Sequence, residues 1–121
     1  MNEEVLGGGG DPTVREYMTT EVETVAPGDT VGAVARRIAE DEHAGFPVCT
    51  GRHVEGFVSA TDLLLAADED PVSAVMSTDL IVADPGMSID DAARVMLRSG
   101  IRKLPVVDAD GDLVGIISNA D

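Results

Sequence analysis

Leu104-Pro105-Val106-Val107-Asp108-Ala109-Asp110-Gly111-Asp112-Leu113-Val114-Gly115-Ile116-Ile117-Ser118 reads as two short strands around a turn. Val, Ile and Leu fill both arms, and Asp110-Gly111 supplies the turn chemistry of a hairpin. The same phrase stands earlier in the chain. Phe46-Pro47-Val48-Cys49 is followed by a turn containing Gly51 and then by Gly56-Phe57-Val58-Ser59. Pro47 and Pro105 lie 58 residues apart, whereas Gly56 and Gly115 lie 59 apart. The extra residue falls in the turn, where insertions are tolerated.

The match continues upstream. Met18 and Met76, and Pro27-Gly28 and Pro85-Gly86, keep the spacing of 58. Downstream, Asp62 and Asp121 keep the spacing of 59. An ordered duplication of this kind marks two copies of one structural unit. Each copy is expected to run β-α-β-β-α, a mixed α/β (α+β) fold. A short amphipathic lead-in ends at Met18 or Met76. A brief strand follows at Val22–Val25 or Leu80–Val82, then a Pro-Gly turn and a helix at 30–41 or 88–99. Val31, Val34, Ala35 and Ile38 recur at helical spacing, as do Ile89, Ala92, Ala93, Met96 and Leu97. Asp29 or Thr30 caps the first helix, and Ser88 with Asp91 forms a capping box on the second. Strands are expected at Gly45–Cys49 and His53–Val58, with counterparts at Lys103–Val107 and Asp112–Ile117. A short helix at 61–67 closes the first copy. The expected organisation is a disordered Gly-rich tail at 1–12, one repeat at 13–68 and a second at 69–121 that lacks its final helix.

Composition narrows the function classes. Hydrophobic residues are 44% of the 121, enough for a core, and aromatics are 2%, so that core is aliphatic. The net charge of −15 argues against nucleic-acid binding and against docking on anionic membranes. Lys103 is the sole lysine and Asp occurs fourteen times, a balance resembling proteins of salt-loving microbes. Cys49 is alone, so it forms no internal disulfide and reads as a small buried hydrophobe. No hydrophobic leader and no apolar run near ~20 residues occurs, so a soluble, cytoplasmic protein is expected. His43 follows three acidic residues, but neighbours on a helix end point in different directions and suit a solvated terminus better than a metal site. No nucleophile–base pair and no phosphate-binding Gly-x-x-x-x-Gly-Lys loop is present, so an enzyme is not expected.

The duplicated pattern resembles a tandem pair of CBS domains, the regulatory modules named after cystathionine β-synthase. The resemblance rests on Met18-Thr19 and Met76-Ser77, the two Pro-Gly helix entries, Phe46-Pro47-Val48-Cys49, Leu104-Pro105-Val106-Val107-Asp108, and the Gly-x-x-Ser-x-x-Asp ends at Gly56–Asp62 and Gly115–Asp121. It implies two clefts between the repeats that take AMP, ADP, ATP or S-adenosylmethionine as regulatory ligands. It also implies a homodimer acting on an attached domain or a partner protein, and an IMP-dehydrogenase-like enzyme is one such setting.

Ser59-Ala60-Thr61-Asp62 lies where a strand gives way to a helix. Hydroxyls and free N–H groups there suit a phosphate, and a carboxylate suits the two ribose hydroxyls. Ser, Thr and Asp are also ordinary helix caps. The resemblance assigns Ser59, Thr61, Asp62, Thr78, Leu80, Arg102 and Lys103 to one cleft. It assigns Thr20, Val22, Ala44, Gly45, Ser118 and Asp121 to the other. The second is the poorer, because Ala120 replaces the Thr61 hydroxyl and Ala44-Gly45 replaces the basic pair. Arg102-Lys103 reads equally as a solvated strand start in an acidic chain. If Asp121 ends the chain, its two carboxylates and the missing helix disfavour an anion in that second cleft. Three consecutive leucines, Leu63 to Leu65, cannot all face inward, so at least one is expected to be left for a dimer partner or for a further C-terminal segment.

Overall fold

The computed structural model describes residues 12–41 and 45–118. The expectations for the tail, Glu42, His43, Ala44, Asn119, Ala120 and Asp121 lie outside those residues. The elements in chain order are α1 (Val14–Tyr17), α2 (Val31–Asp41), β1 (Gly45–Thr50), β2 (His53–Ser59), α3 (Ala60–Leu63), a 3-10 turn (Val72–Ala74), α4 (Ile89–Ser99), β3 (Lys103–Val107) and β4 (Leu113–Ser118).

Each hairpin is antiparallel, and each carries one register shift at the same place, between Val48 and Cys49 and between Val106 and Val107. Gly51 and Gly111 take positive φ in the two turns, at 62° and 85°. In the longer turn the Asp108 carboxylate accepts from the N–H groups of Asp110 and Asp112 at 2.9 and 3.0 Å. The inserted residue is thus absorbed in the turn, and the ladder is one pair shorter: the first hairpin pairs out to Thr50 and His53, the second only to Val107 and Leu113. Thr30 caps α2 by accepting from the Ala33 N–H at 3.2 Å, while Asp29 turns back to the Ala26 N–H at 2.9 Å. Ser88 caps α4 through the Asp91 N–H at 3.1 Å, and the Asp91 carboxylate holds Arg94. Gly100, with φ of 69°, ends α4 in the left-handed conformation that favours glycine.

The expected strands at Val22–Val25 and Leu80–Val82 shrink to single parallel bridges, Val25 to Val48 and Ala83 to Val106. The expected helix at 61–67 stops at Leu63. The chain must turn there so that the Asp68 and Asp70 carbonyls reach the Gly32 and Val31 N–H groups, at 2.9 and 2.8 Å, at the start of α2.

The compact units do not coincide with the sequence repeats. Residues 23–80 form a contiguous unit, and residues 12–22 join 81–118 in a composite one. Each lead-in is therefore exchanged. Ser77 pairs with Phe57 through hydrogen bonds of 2.8 and 2.9 Å, and Thr19 pairs with Ile116 through two of 2.9 Å. Gly56 and Gly115 permit this. A β-carbon at Gly56 would stand 2.7 Å from Met76 Sδ and from the Ser77 carbonyl, and one at Gly115 would stand 2.6 Å from Met18 Sδ.

Each unit has its own core. Val25, Val31, Val34, Phe46, Val48, Val58, Leu63 and Val72 fill the contiguous unit. Val14, Ala83, Ala92, Met96, Leu104, Val106 and Ile117 fill the composite one. Burying each large aliphatic side chain contributes about 1.5–3 kcal/mol. No helix among the described residues is long and apolar enough to cross a membrane.

Candidate functional site

The residues at the end of β2 form a defined local structure. Val54, Gly56 and Val58 are buried, which turns the intervening residues toward solvent and leaves Ser59 half-buried as the strand ends. The Ser59 N–H donates to Asp62 Oδ2 at 2.8 Å, and the Asp62 N–H donates to Ser59 Oγ at 3.4 Å. This reciprocal box fixes the half-buried Asp62 carboxylate against the strand end, and Thr61 is exposed beside it. Because α3 has only four residues, little helix dipole stands behind this turn. The carboxylate, rather than the dipole, is the chemically distinctive feature.

The Phe57–Ser77 bridge sets where the next candidates go. Its antiparallel register carries the exposed Thr78 to the level of Gly56, three residues back from Ser59, or roughly 10 Å at the strand rise. Leu80 is 38% exposed, a large apolar side chain left accessible. Thr78 and Leu80 belong with Asp62 in the contiguous unit, whereas exposed Arg102 and half-buried Lys103 belong to the composite unit.

Of the second set, Thr20 is exposed, Val22 half-buried and Ser118 exposed, all in the composite unit. Gly45 is buried in the contiguous unit. Strand register makes Gly45 the partner of Ser59, and Lys103 the partner of Ser118. Residues that the resemblance divides between two clefts are thus cross-strand neighbours within one hairpin. Neither residue type nor spacing signalled this pairing; it follows from the hairpin register alone.

Elsewhere the structure offers little chemistry. Burial pushes the Cys49 thiol up from its ordinary range, and the nearby Glu55 charge pushes it further, so it is a poor nucleophile. Among the described residues no group of three His, Cys, Asp or Glu side chains is placed to hold a metal.

A model of the CBS domain matches residues 14–69 and again 72–121. The chain belongs to the CBS-domain family. The pair of CBS repeats is 43% identical over 110 residues to an uncharacterized protein of Methanocaldococcus jannaschii, covering 89% of this chain and 42% of that one. It is 33% identical over 106 residues to the inosine-5'-monophosphate dehydrogenase of Korarchaeum cryptofilum, covering 87% of this chain and 22% of the enzyme. The chain thus spans less than half the length of these relatives. Among solved structures, the CBS-pair protein CBSX2 of Arabidopsis thaliana in complex with AMP superposes with a TM-score of 0.82 at 30% identity, covering 89% of this chain and 90% of that one.

Proposed function

We propose that this CBS pair is a regulatory module, not an enzyme, that senses an adenosyl ligand: AMP, ADP, ATP or S-adenosylmethionine. The AMP complex of CBSX2 carries the reading, since it shares this fold over nearly the whole chain. In support, the Ser59–Asp62 box holds a carboxylate ready for ribose hydroxyls. Ser59, Thr61, Asp62, Thr78, Leu80, Arg102 and Lys103 serve the better-equipped site, with Arg102 and Lys103 available to phosphate. Thr20, Val22, Ala44, Gly45, Ser118 and Asp121 serve the weaker one, which is vacant or takes an uncharged adenosyl group. Ligand binding biases the arrangement of the repeats by its differential affinity, and a fused domain or partner in the cytoplasm reads the change. Thermal-shift scanning tests this. A ligand at a hundredfold excess over Kd adds about 2.7 kcal/mol to stability. No shift with any of the four ligands overturns the reading.

A second reading is a ligand-free dimerisation scaffold, because the Ser59–Asp62 box is complete as a helix cap. Leu64 and Leu65 are 80% and 96% exposed, which favours a homodimer in either case. Light scattering in molar KCl is expected to give a dimer at tens of micromolar. The net charge of −15 further suggests a salt-adapted, halophilic source, in which case Tm rises from dilute buffer into molar KCl.

A further inference from the structure

We propose that Gly45 is a positioning residue for the Asp62 carboxylate, an assignment whose functional consequence rests on the nucleotide reading above. Gly45 opposes Ser59 across the hairpin. A β-carbon at Gly45 would stand 2.5 Å from the Val58 carbonyl oxygen, 2.8 Å from Phe57 Cε1 and 3.1 Å from Ser59 Cα. Two of these are backbone atoms of the strand that ends in the Ser59–Asp62 box, so no side-chain rotation relieves the contact. Any residue larger than glycine therefore displaces the end of β2. The Ser59 N–H that donates to Asp62 Oδ2 at 2.8 Å moves with it. The carboxylate is held at that N–H, so its placement depends on a residue seventeen positions earlier in the chain.

The repeat supplies a comparison. The position equivalent to Gly45 is Lys103, which opposes Ser118. A lysine there already carries a β-carbon, so the composite unit does not use this close approach. Absence of a side chain at 45 is thus a property of the hairpin that carries Asp62. Gly45 acts through Asp62, and its effect is read as a change in how ribose is recognised.

The test pairs amide exchange with binding to the full chain. In Gly45→Ala, exchange of the Ser59 amide should speed up about tenfold relative to the buried Val48 amide. Affinity for AMP should fall about tenfold, or about 1.4 kcal/mol, while 2′,3′-dideoxy-AMP, which offers no hydroxyls, changes little. In an Asp62→Ala background the Gly45→Ala loss should vanish. Unchanged Ser59 exchange overturns the proposal, as does an equal loss for both nucleotides or a loss that persists without Asp62. If Gly45→Ala does not melt cooperatively, Phe57→Leu removes the ring while leaving the Val58 and Ser59 backbone contacts in place. Unchanged Ser59 exchange in that variant supports the backbone approach at Gly45 as the determinant, and faster exchange, which would make the ring the determinant, overturns it. If the unmodified protein binds no AMP, the nucleotide reading fails, while the exchange result still decides whether Gly45 holds the box.

Discussion

The contiguous and composite units share a topology but close one corner of it with different chemistry. In the contiguous unit the Arg37 guanidinium lies 4.5 Å over the Phe46 ring, donates to the Thr24 carbonyl at 3.0 Å and pairs with Glu23 at 3.0 Å. The equivalent positions in the composite unit hold Val95, Leu104, Val82 and Ile81, an entirely apolar set. One unit ties residues 23 and 24 to its helix with a charged fork, and the other has only apolar residues at the equivalent positions, with Ile81 still 41% exposed. A duplicated backbone therefore tolerates two solutions at one corner, provided the core positions beneath stay apolar.

The largest expected difference between the units concerns their lead-in glycines. Gly56→Ala sets a β-carbon against the Ser77 backbone carbonyl at 2.7 Å, whereas Gly115→Ala meets the Thr19 carbonyl at 3.0 Å and a bending Met18 thioether. Overpacking against backbone costs more, so about 2–3 kcal/mol is expected at Gly56 and about 1–2 at Gly115. Urea melts of both variants measure it, and equal losses would erase the distinction. Next in size is ligand affinity. Asp62→Ala is expected to weaken AMP about tenfold and Asp121→Ala less, by calorimetric titration.

A smaller effect is expected at the corner itself. Arg37→Ala should cost about 1–2 kcal/mol, mainly through the ring and carbonyl contacts, because the Glu23 pair is partly exposed and adds little. Glu23→Ala should accordingly cost less, and Arg37→Lys should recover only part of the loss. Smallest is a pH effect present in one unit alone, since Cys49 is matched by Val107. The folded thiol ionises later than the unfolded one, so the folded state binds more protons above the unfolded pKa. Stability from this source is intact below about pH 8.5 and declines as pH climbs through the folded value. Cys49→Val should flatten Tm between pH 8 and 10, and an unchanged slope would acquit the thiol.

The hairpins and both long helices were legible because period and turn chemistry are local properties. Gly51, Asp110-Gly111 and the stripe through Val31, Val34 and Ile38 sit within a few residues of what they specify. The Ser59–Asp62 box was legible as a cap for the same reason. What stayed hidden depends on distance along the chain. Val25 looked like part of a strand, but only one of its neighbours' worth of pairing forms against Val48. Leu64 and Leu65 continue a helical composition, yet Asp68 and Asp70 are drawn to α2 by hydrogen bonds no pattern announces. Arg37 gives no sign that its partners lie at 23, 24 and 46. Above all, a repeat counted in the sequence carries no mark of which copy its lead-in will join.

That exchange of lead-ins sets an order of events during synthesis. Residues 23–80 hold everything their unit needs, so it can close as soon as they have left the ribosome. The segment at 12–22 emerges earlier and waits longer. Its bonds from Val14 to the Met87 carbonyl and between Thr19 and Ile116 require chain made much later. The segment is made before the unit that follows it and is secured after it, and the nascent protein carries an unmatched edge until β4 arrives to take it.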